Sequence, residues 1–385
     1  MITPELRAQF LLRSDITYLN FGSFGACPRP IFERYQQFQL ELEQEPVQFI
    51  VDTGLRYLAE SRKALANYLH ADADDLVYVV NPSHAVNLIA KSLELSAGDE
   101  VLTTNLEYGA CDRAWQYYCE KAGARYVRQP ITLPLQSKED FVSQFFKGII
   151  AKTKLIFLSH ITSATALRFP VDLIIQEAKS RGILTFIDGA HAPGQIELNL
   201  TALDADIYTG ACHKWMMTPK GSSFLYVRSS LQDRFDPLVI SWGYQSDNPS
   251  HSPFLDYHQT QGTRDFSAFL CTPAALAFME KYNWPAVASE CRAMVHANVP
   301  RFCSLLGTVP LAPLHEDFIV QLVSFKLRTT EAEKVKATLF NDYRIEVPVM
   351  RQGNDVYLRY SINAFNTQED LDRLYEAMQV IVKSF

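Results

Sequence analysis

Two groups that could share one chemical task occur in the stretch from Leu184 to Leu225. The carboxylate of Asp188 follows a short apolar run, and Lys214 follows a second strand candidate at residues 206–210. The carboxyl ends of buried parallel strands meet at one edge of a sheet, where ligands bind. We therefore expect Asp188 and Lys214 to lie close together in one crevice.

Lys214 stands between His213 and Trp215, in surroundings that would lower the pKa of its amine. A neutral amine can attack a carbonyl carbon. A lysine that forms a Schiff base and an acid that keeps a pyridine nitrogen protonated are the two groups that pyridoxal phosphate requires. The alternative is a strand-end aspartate that caps a helix and an ordinary surface lysine. Finding both residues in this order favours the cofactor site.

Size and composition exclude several classes of protein. The 385 residues predict a large domain with a smaller one beside it. A net charge of −7 without a block of like charges argues against nucleic acid or an anionic membrane as partner. No apolar run approaches the roughly 18 residues of a membrane span, and the amino terminus lacks a signal-peptide pattern. Seven scattered cysteines without a CxxC pair predict reduced thiols, no metal site and a cytoplasmic protein.

The order of the predicted elements indicates an α/β fold. Strands and helices alternate as far as Leu225, which predicts a doubly wound, mostly parallel sheet. Residues 236–261 are rich in proline, glycine and polar residues and predict a long irregular connection. We expect an N-terminal arm at 1–16 built on an amphipathic helix from Thr3 to Arg13, a large cofactor-binding domain at 17–255 and a small α+β domain at 256–385.

A candidate anion site follows the strand candidate that ends at Val80. The turn Asn81-Pro82-Ser83-His84 leads directly into a helical pattern, and free backbone N–H groups at a helix start favour phosphate. A plain helix cap by Ser83 is the alternative interpretation. The chain has no glycine fingerprint that would support a simple nucleotide-binding module.

Taken together, the motifs resemble the class V aminotransferase family of fold type I pyridoxal phosphate enzymes, and within it the isopenicillin N epimerase-like branch. The likeness covers nearly the whole chain and rests on six segments: TYLNFGSFGACPRP, SHITSATALRFPVDLI, FIDGAHAPG, TGACHKWMMTPKGSSFLYV, QGTRDFSA and YLRYSINAFNTQEDLDRL. Their combined order is specific for the family but much less specific for one reaction.

The resemblance implies a role for each residue that would surround the cofactor ring. Lys214 would be the Schiff-base lysine and the general base, and Asp188 would hold the pyridine nitrogen. His191 would reach the phenolic oxygen. Tyr108 would stack on the ring, although an ordinary buried tyrosine is the alternative. These assignments predict a catalytic group made of Lys214, Asp188 and Tyr108.

The resemblance also places residues on the phosphate. Ser83, His84 and His213 would bind it, with Gly262 and Thr263 supplied by a second subunit. The site would then be complete only in a homodimer. His84 stands where many relatives have threonine, so this part of the pattern departs from the family.

On the substrate side, Arg359 matches the family arginine that grips the α-carboxylate of the substrate through a two-pronged contact. Asn20 would line the same side. Ser163, which replaces an asparagine of the desulfurases, is expected among the cofactor-binding residues. Ala211 replaces the serine that desulfurases have before the His-Lys pair.

We predict a pyridoxal phosphate enzyme acting at the α-carbon of a small amino-acid-like substrate, by epimerisation or transamination. A C–S lyase that works by β-elimination and a non-catalytic scaffold that binds the cofactor are the alternatives. Residues 344–351 correspond to the loop on which desulfurases carry a sulfur-accepting cysteine, but they contain none, and the nearest is Cys303. Sulfur transfer through that nucleophile is therefore not expected.

Overall fold

A computed structural model gives the structure of the chain and describes residues 2–384. Its strands are β1 (Thr17–Tyr18), β2 (Leu76–Val79), β3 (Glu100–Thr104), β4 (Arg125–Gln129), β5 (Thr153–Ser159), β6 (Leu184–Gly189), β7 (Ile207–Ala211), β8 (Ser223–Val227), β9 (Leu322–Leu327), β10 (Ile345–Glu346), β11 (Val349–Gln352) and β12 (Asp355–Ser361).

The helices of the described residues are α1 (Pro4–Arg7), α2 (Phe21–Phe24), α3 (Arg29–Gln44), α4 (Pro46–Gln48), α5 (Gly54–Leu69), α6 (Pro82–Ser92), α7 (Gly109–Ala122), α8 (Lys138–Phe146), α9 (Val171–Ser180), α10 (Leu200–Leu203), α11 (Pro253–Gln259), α12 (Ser267–Leu270), α13 (Thr272–Lys281), α14 (Trp284–Leu306), α15 (Ala332–Tyr343) and α16 (Gln368–Ile381). A π-helix spans Phe49–Thr53, and short 3-10 helices span Ala73–Asp75, Ser229–Arg234 and Val382–Ser384.

The predicted doubly wound sheet is confirmed. Seven strands lie in the order β2-β8-β7-β6-β5-β3-β4. Strand β8 runs antiparallel to β2 and β7, and the other neighbours are parallel. Strand β6 lies between β5 and β7, so its carboxyl end is in the middle of the sheet.

Alternate residues of the central strands point into two different parts of the core. Ile156 of β5 and Ile187 of β6 belong to one buried cluster, while Phe157 and Phe186 belong to the other. Because successive side chains of a strand point to opposite faces, both faces of the sheet are covered. The sequences of such strands are mostly apolar. The polar side chains that these strands contribute to the site come from their last residues.

The C-terminal part of the chain is built on an antiparallel sheet in the order β11-β12-β9. In the register of β12 with β9, Arg359 is opposite Ser324. The N-terminal segment joins this part, because β1 pairs with β10 and Asn20 bridges to Ser361. Residues 20–25 are thereby held beside Arg359.

Two expectations about local structure are corrected. The helix expected from Thr3 to Arg13 covers only Pro4–Arg7, because Phe10 leaves it to form a bridge with Pro28. The segment at 236–261 is not irregular throughout, since it contains α11. In each case tertiary contacts overrule a local pattern.

Candidate active site

A cavity of about 380 Å³ opens at the carboxyl ends of the central strands. It brings together seven of the residues expected in the site from five separate parts of the chain. These are Ser83, Tyr108, Ser163, Asp188, His191, His213 and Lys214. The described residues that line it also include Ser23, Phe24, Ser159 and Lys220, which the sequence did not single out as site residues.

Asp188 forms the charged floor of the cavity. It is 3% exposed, and its Oδ1 accepts a hydrogen bond from the backbone N–H of Ala190 at 2.9 Å. The thiol of Cys111 lies 3.5 Å from Oδ2 and donates to it. Burial raises the pKa of Asp188, while the Ala190 N–H and the charge of Lys214 act in the opposite direction. A carboxylate with only one strong donor keeps an oxygen free to accept from a cationic ring nitrogen.

Lys214 has the reactive character that its neighbours predict. Burial lowers the pKa of its amine to about 8, and Asp188 partly opposes this effect. Its Nζ lies 3.2 Å from Nε2 of His191. A minor fraction of the amine, roughly a tenth at pH 7, is therefore neutral and able to attack a carbonyl carbon.

His191 is oriented by Trp215. The indole N–H of Trp215 donates to Nδ1 of His191 at 3.3 Å, so the proton of the neutral ring belongs on Nε2. Burial holds the pKa of His191 well below its usual value, which keeps the ring neutral. The Nε2–H then faces the lone pair of the neutral Lys214 amine. This arrangement agrees with an unprotonated lysine.

The start of helix α6 forms the anion-binding end of the cavity. Asn81 caps the helix by accepting from the backbone N–H of His84 at 2.9 Å, and Ser83 lines the cavity. His213 faces the same end, and its Nδ1 donates to the carbonyl of Ser222 at 2.8 Å. Burial lowers the pKa of His213 to about 4. Backbone N–H groups and the helix dipole supply the favourable charge for a phosphate here.

Arg359 lies behind the substrate side of the cavity and is 1% exposed. Its Nη1 donates to the carbonyl of Ser163 at 2.6 Å, and its Nη2 donates to the hydroxyl of Ser23 at 3.1 Å. Its Nε has no hydrogen-bond partner within the described part of the chain. Burial lowers the pKa of Arg359 only to about 10, so the group stays cationic. A buried cation without a carboxylate partner is suited to an anionic ligand.

Gly22 allows Arg359 to occupy this position. A methyl group at Gly22 would lie 3.3 Å from Nη2 of Arg359 and 3.7 Å from the ring of His191. Gly22 lies in one of the segments that carry the family resemblance, but the sequence did not reveal the contact of Ser23 with Arg359.

Besides Arg359, which lies behind it, four expected site residues do not line the cavity. The side chain of Asn20 is held by Glu346 and Ser23. The Nε2 of His84 is buried without a hydrogen-bond partner among residues 2–384. Gly262 and Thr263 are exposed in a turn after α11, with Gly262 at a φ of 95°. Residues that contact a second subunit are expected to be exposed in the single chain. The roles of these residues stay predictions.

A larger cavity of about 960 Å³ lies elsewhere, between α5, α13 and α14. Its lining includes Tyr68, Trp284 and Arg292 but neither Lys214 nor Asp188. Size alone therefore does not identify the reactive site. Among residues 2–384 no group of three or more metal-ligating side chains is assembled, and no helix there is long and apolar enough to cross a membrane.

The donor set of the smaller cavity fits pyridoxal phosphate. Asp188 suits the pyridine nitrogen, Lys214 suits the aldehyde carbon and the start of α6 suits the phosphate. The free space is within the usual range for a small-molecule site. The unpartnered Nε of Arg359 leaves binding capacity for a substrate carboxylate beside the ring. The fold and the site together define a pyridoxal-phosphate-dependent enzyme of fold type I.

Comparison with known proteins identifies the family. The sequence model described as Aminotransferase class-V matches residues 27–374. The chain therefore belongs to the class V aminotransferase family, as its motifs predict. It is 32% identical to an isopenicillin N epimerase of Amycolatopsis lactamdurans, with 98% of each chain covered. It is 25% identical to a probable L-cysteine desulfhydrase of Arabidopsis thaliana, covering 99% of this chain and 86% of that protein.

Solved structures support the fold. An apo cysteine desulfurase from Thermococcus onnurineus NA1 superposes with a TM-score of 0.85 at 21% identity, covering 100% of this chain and 99% of that one. The cysteine desulfurase CsdA from Escherichia coli gives 0.81 at 22% identity, covering 99% and 98%. At these identities the likeness concerns the architecture.

Proposed function

We propose that the protein converts an amino acid or amino-acid-like substrate at its α-carbon, with Lys214 as the proton-transferring base. The observation that carries this proposal is the position of a buried, partly neutral amine in a cavity that also contains Asp188 and is backed by Arg359. A cation for the substrate carboxylate and a base for the neighbouring proton are thus within one site.

Each residue has a defined task in this proposal. Arg359 binds the substrate α-carboxylate and thereby orients the α-carbon, in a place already shaped by Ser23 and Ser163. When bound, pyridoxal phosphate supplies an electron-accepting ring, which requires the negative charge of Asp188 at its nitrogen. Lys214 takes up the α-proton as a neutral amine, which its lowered pKa permits near neutral pH. His191 holds the amine in place through Nε2.

Epimerisation is our first choice of reaction. Its support is the 32% and 31% identity, over 98% of both chains, to proteins named isopenicillin N epimerase. Inversion needs an acid on the face opposite Lys214. Tyr108 lines the cavity and is 48% exposed, which makes it the candidate for that acid. Return of the proton to the cofactor would instead give transamination.

β-Elimination with cleavage of a C–S bond is the second candidate. Its support is the similarity to proteins named L-cysteine desulfhydrase. No cysteine is among the cavity-lining residues in the described part of the chain, and residues 344–351 contain none. Elimination needs no such thiol, so it is compatible with this site, whereas transfer of sulfur to a protein cysteine has no acceptor here.

We also propose a homodimer with shared active sites, in the cytoplasm. Gly262 and Thr263 are exposed next to a segment with several exposed apolar side chains, among them Ile240 at 62% and Trp242 at 82%. Apolar groups this exposed are typical of an interface. The unpaired state of all seven cysteines suits a reducing compartment.

The product formed from a panel of L- and D-amino acids and sulfur-containing analogues tests the proposed reaction. Chiral chromatography should detect interconversion of L and D forms for one substrate class. With an added 2-oxo acid as amino acceptor, a ketoacid formed from the substrate in step with amination of that acceptor would select transamination instead. Release of sulfide with pyruvate from L-cysteine would select β-elimination. The Lys214→Ala variant should form none of these products.

A further inference from the structure

A second buried carboxylate lies one residue before Tyr108. Glu107 is 2% exposed, and its two oxygens accept three hydrogen bonds. Its Oε2 accepts from the backbone N–H of Ser159 at 2.9 Å and from the Ser159 hydroxyl at 2.5 Å. Its Oε1 accepts from the hydroxyl of Thr104 at 2.7 Å. The proton transfers proposed for the site do not use this group.

Glu107 connects two strand ends that the sheet itself leaves unconnected. Thr104 is the last residue of β3, and Ser159 is the last residue of β5. The paired register between these strands ends at Leu102 and Ile156, two or three residues earlier. The carboxylate of Glu107 therefore bridges the ends of β3 and β5 beyond their last ladder contact.

The bridge is directly beside the reactive groups. Ser159 is the register partner of Asp188 on β6 and lines the cavity. Tyr108 follows Glu107 and begins the turn into α7, with no capping hydrogen bond from its own side chain. Because Tyr108 is half-exposed, core packing does not fix its ring. The backbone of residues 104–108, which Glu107 anchors, determines where the ring lies.

Simple stabilisation of the core is a poor account of this residue. Burial raises the pKa of Glu107 to about 7, and the nearby Asp188 acts in the same direction. A buried acid that needs three donors to be tolerated is a costly way to join two strands. Glu107 lies between two side chains that line the cavity, and this position indicates a role in the site rather than in stability.

We propose that Glu107 is a positioning residue: by joining the ends of β3 and β5 it holds Tyr108 against the cofactor ring beside Asp188. The proposal rests on the stacking of Tyr108 on that ring. It assigns Glu107 no contact with the cofactor or with the substrate. Removal of the bridge should therefore act on cofactor binding only through Tyr108.

The test measures the dissociation constant of pyridoxal phosphate by equilibrium dialysis of Glu107→Ala, Tyr108→Ala and the double variant. We expect Glu107→Ala to weaken binding by about tenfold, which corresponds to about 1.4 kcal/mol. In the Tyr108→Ala background, Glu107→Ala should not weaken the binding of pyridoxal phosphate further, because the ring through which Glu107 acts is absent. Glu120→Ala, an exposed acid on α7, is the matched control and should bind like the wild type.

Glu107→Gln separates positioning from charge. Its amide oxygen can accept from the Ser159 N–H while its NH₂ group donates to the Thr104 hydroxyl, so affinity and the circular dichroism of the bound cofactor should be close to wild type. Equal losses in the Gln and Ala variants would overturn the proposal in favour of a charge effect. Independent, multiplying losses from Glu107→Ala and Tyr108→Ala would overturn it as well.

If Tyr108→Ala bound pyridoxal phosphate with unchanged affinity, Tyr108 would not stack on the ring, and this inference would be wrong. The proposed role of Lys214 does not depend on that result, because reduction of the bound cofactor with borohydride tests the lysine separately.

Discussion

The amine of Lys214 owes its reactivity to burial. Burial beside His191 and Asp188 removes water from it, and Asp188 offers the largest compensating charge. Burial and the charge of Lys214 hold His191 neutral, and the indole N–H of Trp215 on Nδ1 leaves its Nε2 to face the lysine. At this scale the sequence was informative, because Asp188 and Lys214 were named from their residue types and order along the chain, and His191 from the resemblance to the family.

Removal of the buried amine should stabilise the cofactor-free protein. The pKa of Lys214 is lower in the folded chain than in the unfolded one, so unfolding takes up a proton between about pH 8 and 10.5. The contribution of this group to the free energy of unfolding is therefore lowest below pH 8 and increases as the pH rises toward 10.5. We expect Lys214→Met to raise the free energy of unfolding by about 1–3 kcal/mol at pH 7 and by much less at pH 10.

Thermal unfolding at the two pH values measures this difference. Lys63→Met, at an exposed position on α5, is the control and should show no such dependence. If Lys214→Met raised the free energy of unfolding as much at pH 10 as at pH 7, burial would not be lowering the pKa of the amine.

Arg359 should be sensitive even to a conservative change. Lysine keeps the charge but loses the planar fork that fits a carboxylate. We expect Arg359→Lys to lower kcat/KM by about tenfold or more, equivalent to about 1.4 kcal/mol of transition-state binding, without changing the absorption spectrum of the bound cofactor. Steady-state kinetics on the identified substrate measures it, with the half-exposed Arg125→Lys as control. Unchanged kinetics would exclude Arg359 from the substrate site.

At the scale of elements, strand ends and turns decide which side chains reach the cavity. The buried strands β5, β6 and β7 were recognisable as apolar runs, and their order along the chain indicated a parallel sheet. The contacts made by Ser23 and Glu107 were not predictable, because both depend on partners more than 50 residues away. The shortened helix α1 has the same cause, since Phe10 pairs with Pro28 instead of continuing the helix.

Gly194 tests how tightly the turn after β6 is packed. Its φ is 89°, and a methyl group there would lie 2.3 Å from the carbonyl oxygen of Trp215. Gly194→Ala must therefore shift the segment that carries His191 against Trp215. We expect a loss of about 2 kcal/mol or more in the free energy of unfolding, measured by denaturant titration.

Gly182→Ala is the matched control for this prediction. Gly182 also has a positive φ, of 68°, but an added methyl group would meet nothing within 4 Å. It should show only the smaller backbone penalty. Equal losses in the free energy of unfolding for the Gly182 and Gly194 variants would show that the contact with Trp215 does not contribute to the effect.

At the scale of the whole molecule, the proposed dimer predicts that two defective chains can complement each other. Lys214→Ala disables a chain's own site, whereas Thr263→Asp would place a negative charge at the partner's phosphate site. In a mixed dimer one site carries both changes and the other carries neither. Co-refolded equal amounts should regain about a quarter of wild-type activity. Activity no greater than that of the separate variants would contradict a site shared between subunits.

The central claim, that Lys214 moves the α-proton of a bound amino acid, is tested most directly by hydrogen exchange in heavy water. Epimerisation, transamination and β-elimination all begin with removal of that proton, and deuterium from the solvent is fixed at the α-carbon of every substrate molecule to which a proton returns. For a true substrate, NMR should detect deuterium at the α-carbon with the wild-type enzyme and none with Lys214→Ala, although the variant still binds the cofactor. Exchange that persists at the wild-type rate in Lys214→Ala would contradict the claim.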